Sequence, residues 1–484
     1  MRDLPKNIAT KQVIQKPKHE PLLDTTLKIS FEKPTPLDFE AFVPWLCKSW
    51  EISQSIIIDR MNQEQALPHL KSMKNLKLKN ANGSTTMKNN LTLRNTRSNF
   101  SESDLRARNT KKAISIKTYY ERHGRLVEIR IIDSPMPISK RVIQAIKVCL
   151  PCHSQLTKLT INKGLTYQTI HELWKLLPHS NLTDICLDGT RVAESNYYIL
   201  LDCQSQLKRL SLNKCLINDI ICQKIANRLC QMGESCSSLH ILELSINNIT
   251  DIGAQYLGDM LRNNRSLRHL NLAGNKITDF GAGTIINQLK EFLVTKQEIV
   301  AAKRKKFKFL KVKISLYEKL LEEIMRERRR QTLASSVSLM MTLENKSSKN
   351  PKKAKKKART KDLVGSFTGP FDGENTIKRN EQLYCNGNFT LCSLNLGYNN
   401  LGYFSVKQIH EVLLYQAGRV KKLNAPGLLR LVLDGNLVPK HCIEYDKIKI
   451  FLTQAVQNIS TSKKSGLSFE NKKSILHLKK KKEL

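Results

Sequence analysis

The amino-acid sequence predicts an α/β fold: a horseshoe-shaped solenoid with short parallel strands inside, helices outside, and disordered basic segments around the repeats. The pattern L-x-x-L-x-L-x-x-N begins at Leu239 and again at Leu267, 28 residues later. Each copy is followed by T-D-x-G-A and by apolar residues at helical spacing. The leucines alternate along a strand and face inward, and the Asn satisfies backbone groups where the chain turns. One unit leaves its apolar face uncovered, so neighbouring units must stack on it.

Six further copies of the leucine pattern complete a set of eight predicted repeats. They begin at Leu126, Leu156, Leu182, Leu207, Leu391 and Leu428. The early spacings suit one strand and one helix per repeat. The first three copies lack the Asn. The step of 124 residues from Leu267 to Leu391 predicts a large insertion between the sixth and seventh repeats.

The repeats divide the chain into seven segments. These are a disordered N-terminus (1–36), a helical segment (37–60), a basic flexible linker (61–115), repeats one to six (116–290), an insertion (291–387), repeats seven and eight (388–460) and a basic tail (461–484). In the helical segment, aromatic and aliphatic residues from Phe39 to Trp50 recur at helical spacing. We interpret it as a cap on the first repeat, or alternatively as an amphipathic helix that binds a partner.

The insertion is predicted to begin with a long basic helix. The apolar residues from Leu289 to Val300 keep helical spacing without a Gly or Pro, so the helix of the sixth repeat is expected to continue through Lys303 to Arg330. Its apolar stripe consists of Leu316, Leu320, Leu321 and Ile324. Such a helix is suited to an acidic partner or a membrane face, and the alternative is a solvated helix. The segment 346–360 contains too much Lys to order by itself.

The net charge of +39 lies mostly outside the repeats. Three segments, 71–125, 301–364 and 463–484, carry 32 of these charges. Such basic runs attract nucleic acid, a membrane surface or an acidic polymer such as tubulin. The alternative is solvated disorder that keeps the protein soluble. Nucleic acid is not favoured, because 352–361 contains no aromatic residue for base stacking.

The sequence predicts no enzyme, no cofactor and no metal site. Cys149-Leu-Pro-Cys152-His153 has the spacing of a haem attachment site or half a zinc site, but we interpret it as the loop before the second repeat. No phosphate-binding loop, serine-hydrolase motif or zinc-protease motif is found. The chain shows no secretory signal and no apolar run long enough to span a membrane. We therefore expect reduced, structural cysteines.

Protein partners are expected on the concave strand face and on the basic helix. The positions between the leucines point outward, and they are polar, mixed in charge and poor in aromatic residues. The candidate partner-binding residues are Asp184, Asp188, Arg209, Glu243, His269, Lys303, Arg304, Lys305 and Lys306.

The repeats resemble the ribonuclease-inhibitor-like class of leucine-rich repeats. The order of features is similar to the leucine-rich repeat-containing protein 71 family. Early repeats that match the pattern weakly come first, then the two sharp repeats, which carry the complete pattern at Leu239 and Leu267, then a helical extension and a Lys-rich insertion. The segments L-C-S-L-N-L-G-Y-N (391–399) and G-L-L-R-L-V-L-D-G-N (427–436) then follow. The resemblance implies a non-enzymatic component of motile cilia and sperm axonemes. Ribonuclease binding is not expected, because the concave face is not acidic as it is in ribonuclease inhibitors. GTPase activation is not expected either, because no residue matches the finger residue of the GTPase-activating proteins of this class.

Two functions are consistent with these features. The first is a structural interaction protein of the cytoplasm and cytoskeleton, located in the axoneme of a cilium or flagellum, with axonemal proteins or tubulin as partners. The second is a nuclear or RNA-associated adaptor in which the segment 352–359 acts as an import signal and polyanion contact.

Overall fold

The computed structural model describes residues 33–62, 113–202, 205–230, 238–339, 369–420, 425–439 and 441–462. The predicted disordered N-terminus up to residue 32, most of the predicted linker, the Lys-rich segment in 340–368 and nearly all of the basic tail lie outside the described residues. Predictions for those segments stay predictions.

The repeats share one ten-stranded sheet. In spatial order its strands are β1 (Ile56–Asn62), β2 (Ile114–Tyr120), β3 (Leu126–Ile131), β4 (Lys158–Ile161), β5 (Asp184–Cys186), β6 (Arg209–Ser211), β7 (Ile241–Glu243), β8 (His269–Asn271), β12 (Ser393–Asn395) and β13 (Arg430–Val432). All neighbours are parallel except β2 and β3. Each of the eight predicted repeats contributes one strand, so the predicted α/β solenoid is confirmed.

Helices cover the outer side of the sheet. They are α1 (Phe39–Ser49), α2 (Lys140–Cys149), α3 (Tyr167–Leu176), α4 (Asp219–Cys230), α5 (Asp251–Asn263), α6 (Asp279–Ile286), α8 (Tyr403–Ala417) and α9 (Ile443–Ser462). In the third repeat a short 3-10 helix, Asn196–Leu201, replaces the α-helix. The repeat leucines between these layers are buried, for example Leu242, Leu244 and Leu270. Burial stabilises each such side chain by about 1.5–3 kcal/mol.

The four Asn residues of the later repeats join each repeat to the one before it. The amide of Asn275 donates to Leu244 O (3.0 Å) and Leu272 O (2.9 Å), and its oxygen accepts from Ile249 N (3.1 Å). Asn247, Asn399 and Asn436 make the equivalent bonds. Each amide thus satisfies backbone groups of two successive repeats.

The N-terminal segment differs from the prediction. The segment 37–60 is not one helical unit, because α1 ends at Ser49 and β1 begins at Ile56. The predicted flexible linker also contains strand residues at both ends, since β1 extends to Asn62 and β2 starts at Ile114. The first repeat accordingly starts at β3, and β2 is an antiparallel strand beside it. Helix α1 buries Phe39, Phe42, Val43, Leu46 and Cys47.

The predicted continuation of the sixth repeat's helix into the insertion was wrong. Helix α6 ends at Ile286, and the short strand β9 (Phe292–Leu293) follows before a separate helix, α7 (Lys296–Leu339), begins. Thr295 and Glu298 start α7 with reciprocal bonds: Glu298 N donates to Thr295 Oγ1 (3.2 Å), and Thr295 N donates to Glu298 Oε2 (2.8 Å). This capping box supplies a helix start without a Gly or Pro stop before it.

The end of the insertion folds onto the horseshoe. Strands β10 (Thr376–Arg379) and β11 (Gln382–Cys385) form a hairpin, and β11 pairs with β9. Arg379 forms an ion pair with Glu291 (2.7 Å). The side chain of Asn388 donates to Leu261 O (2.9 Å) and Asn264 O (3.0 Å). Strand β12 then pairs directly with β8, so the sheet continues in register across the insertion.

Candidate protein-binding surfaces

The concave face brings three of the predicted contact residues into one hydrogen-bonded group. Arg209 Nη2 lies 2.6 Å from Glu243 Oε1. Asp188 accepts from Ser211 Oγ (2.6 Å) and from the backbone N–H of Asn213 (2.9 Å). The side-chain amide of Asn213 reaches both Asp188 and Glu243. These half-buried side chains are therefore hydrogen-bonded to one another across neighbouring repeats.

Asp184 and His269 lie on either side of this group. Asp184 Oδ2 accepts from Thr183 Oγ1 (2.7 Å), and strand pairing places Asp184 beside Arg209. His269 is paired with Ile241 on one side and Ser393 on the other. The two residues belong to one row of outward positions along the sheet. The predicted outward orientation of all five residues agrees with this arrangement.

The four basic residues of the prediction lie on α7, near its N-terminal base, and not in that row. Lys303, Arg304 and Lys306 are exposed, whereas Lys305 is half-buried, and burial lowers its pKa. A bidentate ion pair between Arg262 and Glu298 (2.7 and 2.8 Å) anchors the base of the helix. Burial raises the pKa of Glu298, but the hydrogen bonds from Arg262 and Thr295, together with the charge of Arg262, outweigh burial and lower the pKa of that carboxyl.

An apolar row at the edge of the horseshoe was missed in the sequence. It comprises the second residue of helices α4, α5, α6 and α8, and we call it the apolar rim: Ile220, Ile252, Phe280 and Phe404. These side chains are 58–70% exposed. The same helix position in the first two repeats holds Arg141 and Gln168. The rim therefore belongs to repeats four to seven.

Loops on the same edge extend the apolar rim. Parallel strands all end at one edge of the sheet, and the loops after three of them expose Leu216, Ile246 and Tyr398. Scattered exposed apolar side chains are ordinary, but a row repeated over successive units is typical of a binding surface. The signal was present in the sequence as the variable position of T-D-x-G-A, which is Ile252 in one copy and Phe280 in the other.

The Cys149–His153 segment contains no assembled site in the structure. Cys149 is buried at the end of α2, and burial raises its thiol pKa to about 12. Cys152 is exposed, and His153 Nε2 lies 3.1 Å from Pro36 O. Among the described residues, no three His, Cys, Asp or Glu side chains are grouped to hold a metal ion. No helix in the described part of the chain is long and apolar enough to cross a bilayer.

Comparison with known proteins identifies the repeat type. The family model "Leucine Rich repeat" matches residues 235–258 and 263–285, which are the two sharp repeats. The search of curated proteins returned no match.

Two solved structures resemble the chain at 12% sequence identity. One is the leiomodin-1 actin-binding site 2, with a TM-score of 0.28 over 54% of this chain and 86% of that one. The other is an internalin (inlF) from Listeria monocytogenes, with a TM-score of 0.29 over 70% and 73% of the two chains. Neither likeness bears on function. The family match and the stacked strands and helices together make this chain an α/β solenoid of leucine-rich repeats.

Proposed function

We propose that the protein is a non-catalytic interaction scaffold of the motile cilium or sperm flagellum axoneme. The observation that carries the scaffold role is the apolar rim, a row of large exposed side chains on repeats four to seven. Removing such a row from water stabilises a complex, and a rigid solenoid holds the row in place at little entropic cost.

The concave face has a different part in this proposal. Arg209 and Glu243 on this face are already paired with each other, so they contribute specificity rather than most of the binding energy. The exposed Lys303, Arg304 and Lys306 at the base of α7 supply attraction to an acidic surface such as tubulin. The axonemal location itself is supported by the resemblance in the order of repeats, helical extension and insertion.

Localisation in ciliated cells tests the proposal. We expect a tagged full-length protein along the axoneme, retained after detergent extraction. A signal confined to the nucleus would favour the alternative, an adaptor that uses its basic segments for import and polyanion contact.

Substitutions in the apolar rim test the docking surface. The double variant Ile252→Asp/Phe280→Asp places charges on two exposed positions and is expected to release the protein from extracted axonemes. Gln255→Asp, on the exposed side of the same helix α5, is the matched control and is expected to remain bound. Equal retention of both variants would contradict a role for the rim.

The basic base of α7 has its own test. The variant Lys303→Gln/Arg304→Gln/Lys306→Gln is expected to weaken binding to polymerised tubulin at low salt and to remove most of its salt dependence, because screening acts on those charges. Lys407→Gln, an exposed lysine on α8, is the control. Unchanged binding of the triple variant would contradict an electrostatic contact at this site.

A further inference from the structure

Helix α7 exposes a continuous apolar stripe along its middle, which differs from the stripe expected from the sequence: it shares Leu321 and Ile324 with that stripe but leaves out Leu316 and Leu320. The stripe residues recur at alternating steps of three and four: Phe307, Leu310, Ile314, Tyr317, Leu321 and Ile324. Phe307, Ile314 and Leu321 are 55–64% exposed, although they are large and apolar. A repeat of 3.5 residues is the spacing by which one helix packs along another in a coiled coil. No element in the described part of the chain covers these side chains.

Charges beside the stripe are divided along its length. Its N-terminal half is flanked by Lys306, Lys311 and Lys313, and its C-terminal half by Glu318 and Glu327. The ammonium of Lys311 lies 5.7 Å from the centroid of the Phe307 ring, which places this charge at the border of the stripe. The positions that flank the stripe are thus basic in its N-terminal half and acidic in its C-terminal half, and the arginines at 326 and 328–330 lie away from these flanks or beyond the stripe.

We propose that this stripe is a dimerisation surface that pairs with the same stripe of a second copy of the chain in antiparallel orientation. Reversing one helix about the midpoint of the stripe opposes Phe307 to Ile324, Leu310 to Leu321 and Ile314 to Tyr317 of the second copy. The 18 residues from Phe307 to Ile324 then form six apolar layers over about 27 Å, at 1.5 Å per residue.

The charge pattern selects the antiparallel orientation. In that orientation, Lys311 lies beside Glu318 of the second copy and Lys306 lies near its Glu327. On each flank of the pair, a Lys of one copy therefore faces a Glu of the other. In a parallel pair, Lys313 would approach Glu318 of the second copy, but Lys306 would approach its Lys311, so one of the two flanking contacts would be repulsive. Charges beside the apolar seam set helix orientation in coiled coils, so the antiparallel pair is favoured. A second copy therefore fits the stripe in shape and in charge.

The oligomeric state of the full-length chain tests the surface. Sedimentation equilibrium is expected to show a dimer that dissociates on dilution, and Leu310→Asp is expected to be monomeric over the same range. Leu316→Asp is the matched control: Leu316 is 43% exposed, as is Leu310, but it lies outside the stripe. That variant is expected to remain dimeric. A wild-type monomer at every concentration, or a dimer unaffected by Leu310→Asp, would overturn the proposal.

A charge exchange tests the orientation. Lys311→Glu is expected to weaken an antiparallel dimer, because the introduced carboxylate would face Glu318 of the second copy. The double variant Lys311→Glu/Glu318→Lys is expected to restore the dimer. A parallel dimer would respond in the opposite way to the single variant, since the introduced carboxylate would then face Lys306. A stronger Lys311→Glu dimer would refute the antiparallel arrangement. These measurements use purified protein, so their outcome is independent of where the scaffold is located in the cell.

Discussion

The first four repeats and the last four differ at one position, the turn that follows each strand. In chain order the position holds Ser134, Gly164, Thr190 and Cys215, and then Asn247, Asn275, Asn399 and Asn436. In the later repeats, each Asn bonds to backbone groups of its own repeat and of the preceding one.

The smaller side chains at this position in the first four repeats make fewer hydrogen bonds between repeats. Ser134 Oγ donates to Met136 O (2.7 Å), and Thr190 Oγ1 donates to Leu187 O (2.6 Å), both within one repeat. Cys215 Sγ reaches back to Leu187 O at 3.2 Å, a weaker contact between repeats. Gly164 has no side chain and adopts a φ of 88° to make the turn. The first four repeats are therefore held together by backbone geometry and apolar packing. The last four have in addition a row of Asn side-chain amides that bond successive repeats, which we call the amide ladder.

Among the substitutions that test this contrast, Asn399→Ala is expected to lower the free energy of unfolding most. It removes the bonds to Leu272 O, Leu396 O and Ile277 N, all buried, and should lower the free energy of unfolding by about 2–4 kcal/mol. Urea denaturation measures this loss, and hydrogen exchange at the Ile277 amide should accelerate. Asn400→Ala, at the exposed neighbouring position, serves as the control and should change neither value.

Thr190→Val should have a smaller effect. The change keeps the side-chain shape and removes one buried donor, so we expect a loss of about 1 kcal/mol in the same urea experiment. A loss as large as that of Asn399→Ala would show that the early repeats depend on their polar turn residues as strongly as the later ones.

Ser134→Ala should have the smallest effect, about 0.5 kcal/mol, because the hydroxyl makes one bond within its own turn. The three values measured in one denaturation series would order the turn positions. A reversed order, with Ser134 the most sensitive, would refute the proposed role of the amide ladder.

The repeat strands were predictable because their leucines recur with fixed offsets. The outward orientation of Asp184, Arg209 and Glu243 followed from the same alternation. Their mutual hydrogen bonds did not, since each depends on which side chain the next repeat presents. The apolar rim does not follow from the leucine pattern, because that pattern describes the strands and the rim residues stand at the starts of the helices.

The insertion was harder to predict because its signals are short. Thr295-x-x-Glu298 is a capping box, but it lies in a stretch with uninterrupted helical periodicity. The hairpin of β10 and β11 turns at Asn380 and Glu381, both with positive φ of 45° and 63°. Asn is common at such a turn and Glu is not, so the usual Asn-Gly signal is absent.

The direct pairing of β8 with β12 has a consequence for how this protein can vary. Strand β9 pairs with the β10–β11 hairpin at the base of the insertion, and β8 pairs directly with β12. The chain between Thr295 and Gly369 therefore leaves and re-enters the horseshoe next to strands that are already paired with each other. Beyond the ion pair of Arg262 with Glu298, that segment can be exchanged for another of different length or composition while the stacked repeats retain their register. The same solenoid can thus acquire a new tethered module, or lose one, without a change in its core.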